Sequence, residues 1–260
     1  MKDVVIIANG PFLHRDIILE AMNNKFVIVL DGALNQMRWC DSHRIDCILG
    51  DFDSIDRVAQ DFWKISGVFD DITNDSVPYR GLHDVLIVPT KNQEYTDLEK
   101  AIQFCDRNNT PSITLVCASG GRSDHDEAVK QAMRYAYKPE RPITLHTDQQ
   151  SLRYAKDEIV HFDGHIGDAC GFISMDAGSC ASDGLLYPCD SHTKSFCNQL
   201  NADTASLTVT GEALLFLPPQ LPSQRAFMAK SDSERLALLL HDAEDNASYH
   251  FKMNFFNSFS

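Results

Sequence analysis

The chain has 260 residues, of which 43% are hydrophobic and 23% charged, and a formal net charge of −14. These ordinary globular values exclude a mainly disordered protein, and the length allows two cores, since domains usually run to about 100–150 residues. Strong negative charge without a Lys/Arg-rich stripe excludes polynucleotide binding, although a small anionic nucleotide can bind where metal ions and an arginine reverse the local field.

No apolar run approaches the roughly 18–20 residues that cross a bilayer. The start, Met1-Lys2-Asp3-Val4-Val5-Ile6-Ile7, reads as a first strand. The eight cysteines form no CxxC pair and no His/Cys ligand spacing, which fits buried thiols in a reducing compartment. The expectation is a cytoplasmic protein without a membrane segment.

In chain order, short apolar runs at Val4 to Ala8, Phe26 to Leu30, Ile45 to Leu49, Val85 to Val88, Ile113 to Cys117 and Ile143 to His146 predict strands. Near-continuous apolar runs suit strands buried on both faces, and alternation with helical patterns implies parallel crossovers. Thr96-Asp97-Leu98-Glu99 carries a capping-box pattern at a helix start. Asp124 is expected to cap the next long helix.

After about residue 142 the pattern changes to β-type runs at Ile159 to Phe162, Cys170 to Met175, Gly184 to Tyr187, Ala205 to Thr210 and Ala213 to Leu217, separated by turn residues. This predicts an all-β sandwich. Beyond Pro218 a helix is expected near Ser231, with Glu234 three residues on. Tyr249, Phe251, Met253 and Phe255 at period two suggest an edge strand or a dimer contact. The expected organisation is an α/β domain with a mostly parallel sheet over residues 1–142, a β-sandwich over 143–218 and a C-terminal extension over 219–260.

In an open parallel sheet, ligands bind beyond the carboxyl ends of the strands. There the sequence places Asn9-Gly10, Asp31-Gly32-Ala33-Leu34-Asn35, Gly50-Asp51-Phe52-Asp53-Ser54, Gln93-Glu94-Tyr95-Thr96-Asp97 and Gly120-Gly121-Arg122-Ser123-Asp124-His125. Five aspartates, Asp31, Asp51, Asp53, Asp97 and Asp124, thus converge on one sheet edge. Two carboxylates about 5 Å apart repel by about 3 kcal/mol at an effective dielectric near 20. Such a set requires protons or cations, and magnesium, which joins carboxylates to nucleotide phosphates, meets that need. Calcium is a poor fit because Ile55 holds the third ligand position of an EF-hand loop. Gly120-Gly121-Arg122 offers close backbone approach and a guanidinium for phosphate oxygens; His125 either orients phosphate or bonds Asp124.

Taken in order, these motifs resemble those of the thiamine pyrophosphokinases, and the likeness continues at Gly184-Leu185-Leu186-Tyr187-Pro188 and Ser195-Phe196-Cys197-Asn198, covering roughly residues 1–217. The resemblance implies a homodimeric enzyme that makes thiamine diphosphate and AMP from thiamine and ATP with magnesium. It implies Asp51, Asp53, Asp97 and Asp124 as catalytic and metal-holding residues. Asn9, Asp31, Gly32, Asn35, Arg122 and His125 would lie on the nucleotide side. Gln93, Tyr187, Ser195 and Asn198 would lie on the thiamine side. The chain departs from the usual pattern at Ala33, Glu94 and Tyr187, the last standing where tryptophan is usual, and at 126–129; it is also longer around Phe69 to His83, which reads as a surface insertion. Two rival readings are an Asp-nucleophile phosphatase of the haloacid dehalogenase type, from Asp51-Phe52-Asp53, and a non-catalytic thiamine or nucleotide sensor.

Overall fold

A computed structural model describes residues 2–40, 44–63, 65, 79–80 and 84–257, with side chains for all of these except 79–80 and 247–257. They form two compact units, one from Met1–Val129 with Ser231–Ser260 and the other from Lys130–Lys230.

The first unit is built on strands β1 (Val4–Ile7), β2 (Phe26–Leu30), β3 (Cys47–Gly50), β4 (Tyr79–Arg80), β5 (Leu86–Pro89) and β6 (Ile113–Val116), in the order β6-β1-β2-β3-β5-β4. All neighbouring pairs from β6 to β5 are parallel, and only the β4–β5 pair is antiparallel. All four residues of β1 are fully buried, as the unbroken Val-Val-Ile-Ile run demands of a strand covered on both faces. The register is even, with Ile7 opposite both Val29 and Val116, and Gly50 opposite Pro89. The carboxyl ends therefore stop at one level, and the loops leaving them share an edge. Of the expected insertion around Phe69 to His83, only β4 lies within the described residues.

Helices α1 (Arg15–Met22), α2 (Arg57–Trp63), α3 (Asp97–Arg107) and α4 (Ser123–Tyr135) connect the strands. Thr96 caps α3 as its sequence predicts: its hydroxyl accepts from the Glu99 backbone while the Glu99 carboxylate accepts from the Thr96 N–H. Asp124, expected as a cap, instead stands one residue inside α4. Its carboxylate accepts two hydrogen bonds from the Arg122 guanidinium.

The second unit contains β7 (Ile143–His146), β8 (Ser151–Lys156), β9 (Ile159–Asp163), β10 (Ala169–Asp183), β11 (Lys194–Gln199) and β12 (Thr204–Leu217), with the order β11-β10-β12-β8-β7 and β9 on β12. Strand β12 is shared: its first half pairs β9 and its second half pairs β8. The two runs expected at Ala205–Thr210 and Ala213–Leu217 are this one strand, kinked at Gly211, whose φ of 73° only glycine adopts cheaply. Beside the kink Glu212 accepts hydrogen bonds from the Tyr154 hydroxyl, Lys156 and Arg134, which hold its carboxyl down at about 2. Phe162, Phe172, Leu207 and Leu215 lie in the core of this unit.

Two sequence expectations are corrected. Gly184 to Tyr187 is no strand but a turn with a single bridge, Leu185 to Leu200, because the Asn198 side chain occupies both the N–H and the carbonyl of Tyr187. The tail around Tyr249 to Phe255 is no edge strand: it continues α6 (Asp232–Asn257), nucleated by a Ser231–Glu234 capping pair. Once a cap has fixed the first turn, helix propagation is favourable and overrides a weak period-two pattern.

Helix α5 (Pro222–Met228) is tied to the β7–β8 turn by one side chain. Gln224, fully buried, accepts from Gln220 N and Leu221 N and donates to Thr147 O and Gln150 O at 2.6–3.2 Å. Gln224→Leu removes all four bonds, and although Gln150 O keeps the Thr147 N–H and Gln220 N keeps the Ser151 hydroxyl, Leu221 N and Thr147 O lose the partner that the side chain supplies; a loss of about 2–4 kcal/mol in urea denaturation is expected.

Candidate active site

Asp31 follows β2 directly and opens a 3-10 helix, Asp31–Gln36. Its φ of 31° lies in the left-handed region, where a side chain strains the backbone and persists only if its surroundings hold it. Gly50 at the end of β3 makes room: a Cβ there would stand 2.7 Å from the Asp31 Cβ. At Gly32, a Cβ would come within 2.3 Å of the Asn9 side-chain nitrogen. Small residues thus let the loops after β1, β2 and β3 close on one another.

This closure gathers one carboxylate oxygen each from Asp31, Asp51 and Asp97 within 4.8 Å of one another. Asp31 is only 4% exposed, and its Oδ1 is buried without a hydrogen-bond partner. Burial, then the charges of Asp97 and Asp51, push its carboxyl up to about 6. Asp97 is also raised, chiefly by burial, against the pull of Lys100. Like charges this close repel by roughly 3 kcal/mol per pair at an effective dielectric of 20. A divalent cation with hard oxygen ligands fits the donor set, since it would satisfy the orphaned Asp31 oxygen and offset the repulsion together.

The other expected residues lie around this trio. Gln93 donates to Asp51 Oδ2 at 2.6 Å. Asp53 is outside the trio, accepting from the Ser54 hydroxyl at 2.8 Å. Asn35 commits both ends of its amide to the loop after β3, donating to Ser54 O and accepting from Asp56 N. A cleft of about 640 Å³ is lined by Asn9, Asp31, Gln36, Asp97, Arg122 and His125 among others, a size that suits a small-molecule ligand. Arg122 and Asp124 form an exposed ion pair at 2.6 Å, which holds the Asp124 carboxyl below its usual range.

Residues 19–145 match the family model described as the thiamin pyrophosphokinase catalytic domain. Over that segment, just under half of its length, the chain is similar to the thiamin pyrophosphokinase family. Solved structures of thiamin pyrophosphokinases share its fold. The Bacillus subtilis protein has a TM-score of 0.65 at 17% identity, with 85% of this chain and 100% of that one covered. The yeast protein has 0.65 at 12%, with 84% and 86% covered, and the Candida albicans protein 0.63 at 15%, with 84% and 90% covered. A search of curated proteins finds no match.

The family-matched segment contains the whole acidic trio and most of the cleft lining, and one further residue that the sequence pattern alone did not single out. Lys100 is 9% exposed and donates to Asp97 Oδ1 at 3.1 Å and to Thr90 O at 2.9 Å. It sets a positive charge against the acidic set from the first turn of α3. The signal was the i, i+3 spacing of Asp97 and Lys100 behind the capping box.

In the second unit, buried Asn198 donates to Tyr187 O and Ser195 Oγ and accepts from Tyr187 N and Gln199 N. Its amide is fully used, so it positions Tyr187 and Ser195 and has nothing left for a ligand. Tyr187 itself is 63% exposed.

Raised carboxyl pKa values have a definite sign in folding. The stability linked to Asp31 is fully present below its ordinary 3.8 and is lost as pH rises through about 6. Asp31→Asn removes that loss. In metal-free protein the variant is expected to melt above the wild type at pH 8, with the gap closing toward pH 4; calorimetric melts with chelator across that range measure it.

Proposed function

We propose that this chain is a thiamin pyrophosphokinase family member and transfers the diphosphoryl group of ATP to the hydroxyl of thiamine, giving thiamine diphosphate and AMP, with magnesium held by Asp31, Asp51 and Asp97. The observation that carries this reading is the buried, partnerless Asp31 oxygen within a three-aspartate cluster that lies inside the family-matched segment and beside a cleft of about 640 Å³. Asp53 adds its negative charge to that felt by Asp31 and Asp97, while Asp124 is paired with Arg122. Neither the phosphatase nor the sensor reading draws support from any feature of the site.

In the reaction the thiamine oxygen bonds to the β-phosphorus, the bond from that phosphorus to the α–β bridging oxygen breaks, AMP leaves, and the hydroxyl proton passes to a carboxylate of the acidic set. The bound cation would supply charge neutralisation for the phosphate oxygens. The chain's own contribution is positioning and fixed charge. Asn9 and the turn at Gly120-Gly121 offer close polar approach to phosphates. Arg122, exposed and paired with Asp124 at the surface, can turn its guanidinium to them. His125 lines the same cleft. Gln93 orients Asp51 by its 2.6 Å bond.

Thiamine recognition is assigned to Gln93 and, across a homodimer, to the second unit of the partner, taken as a β-sandwich domain. Tyr187 presents an aromatic face suited to a cationic ring, and its neighbour in sequence Leu186 is exposed as well. We place the enzyme in the cytoplasm, because the cysteines are free and all but Cys197 are buried, as a reducing compartment allows. Among the described residues no helix is long and apolar enough to cross a membrane.

Quantifying AMP and thiamine diphosphate formation with varied magnesium tests the reaction. Asp51→Asn and Asp97→Asn are each expected to lower kcat/KM by about 10²-fold or more. Full turnover in both variants, or phosphate release without thiamine, would overturn the assignment. Tyr187→Ala is expected to raise the KM for thiamine by about tenfold and to leave ATP binding unchanged; isothermal titration with each substrate separates the two.

A further inference from the structure

Helix α6 lies beyond the family-matched segment 19–145. Among its described side chains Leu236, Leu239 and Leu240 are exposed, while Asp242, Asp245 and Asn246 make polar contacts to the rest of its unit. Asp242 accepts from Arg15 Nε at 2.5 Å and from the Arg15 backbone N–H at 3.0 Å, and Asp245 accepts from Arg15 Nη2 at 2.7 Å. The same guanidinium lies over the Trp39 ring, 5.6 Å from its centroid. One turn further along, Asn246 Nδ2 donates to Gln36 O at 2.9 Å. These directed contacts tie α6 to Arg15 and, through the Asn246 bond to Gln36 and the Arg15 guanidinium over Trp39, to the segment 36–39.

That segment ends the 3-10 helix that Asp31 begins. Its two ends are held in different ways. At the start, Asp31 sits at a strained φ of 31°. In the middle, Leu34 O accepts from the Trp63 indole at 3.4 Å and Asn35 grips the loop at 54–56. At the end, Gln36 lines the cleft and is gripped by α6. A left-handed aspartate needs its flanking chain fixed on every side, since the strain of order 1–3 kcal/mol otherwise relaxes by local rotation. A 3-10 helix of this length cannot supply that restraint alone, because its hydrogen bonds are poorly aligned.

We propose that α6 is an intramolecular latch on the active site, in which Asn246 and the Arg15–Asp242–Asp245 group are positioning residues that fix the 31–39 segment and so keep the Asp31 carboxylate in the metal-holding trio. None of the four touches the reacting groups. The inference rests on the metal-holding reading of Asp31 given above.

The test uses the full chain as wild type, Asn246→Ala and Asp242→Asn/Asp245→Asn. Three quantities are measured: amide hydrogen exchange, magnesium binding by calorimetry without substrates, and the magnesium dependence of turnover. In both variants exchange across 31–39 is expected to rise about fivefold while that of β1 and β6 stays unchanged. The magnesium concentration at half-saturation is expected to rise about threefold or more, in calorimetry and in turnover alike, with the KM for thiamine unchanged. Three results overturn the latch: unchanged exchange at 31–39, uniformly faster exchange across the whole unit, or local loosening with magnesium affinity unaltered. A wild type that binds magnesium but makes no thiamine diphosphate would defeat the proposed reaction, while exchange and calorimetry would still decide the latch.

Discussion

The enclosure of Asp31 is the constraint on which the rest of the site depends. A carboxylate almost removed from water, with one oxygen unpartnered and two more carboxylates within 4.8 Å, is a costly arrangement in a folded chain. It persists because the neighbourhood leaves no cheaper geometry. Gly50 admits the Asp31 backbone where any side chain would collide. Lys100 moderates Asp97 from one side, and the parallel sheet delivers the loops to a common edge. The resulting deficit of positive charge is what gives a divalent ion and a polyphosphate something to complete.

Several polar residues act at one remove from the chemistry. Asn35 and Asn198 each use their amides on backbone, the first shaping the loop that carries Asp53, the second shaping the turn that carries Tyr187. Trp63 and Asn246 do the same for the 3-10 helix from two different helices. The groups facing the cleft are few. The apparatus that orients them is distributed over most of the first unit, as preorganised electrostatics requires.

Much of this was legible in the sequence because fully buried parallel strands write themselves as short unbroken apolar runs. β2 and β7 have the expected limits, and β1, β3, β5 and β6 lie within a residue or two of theirs. The aspartates were found for the same reason, since each lies in the loop that leaves an apolar run. β8 and β11 were missed because Ser151–Lys156 and Lys194–Gln199 are rich in polar residues with no clean alternation. They become strands by pairing with β12 and β10, a tertiary effect that no local pattern announces. The turn at Gly184 to Tyr187 looked like a strand because its side chains are apolar, whereas the side chain of a residue eleven positions later decides its backbone. Asp31, Asp51 and Asp97 were expected together with Asp53 and Asp124. Which of the five would share one point depended on backbone strain at Asp31 and on the Arg122–Asp124 pair, neither of which spacing can express.

The strand order of the first unit also bears on how the chain comes into being. β1 lies between β2 and β6, so the first strand made waits for one of the last of its unit before both its edges are satisfied. During synthesis on the ribosome, an apolar edge of Val4–Ile7 therefore stays open until Ile113–Val116 has emerged. Throughout that interval the nascent chain carries an unsatisfied sheet edge of the kind that chaperones shield and that aggregation exploits.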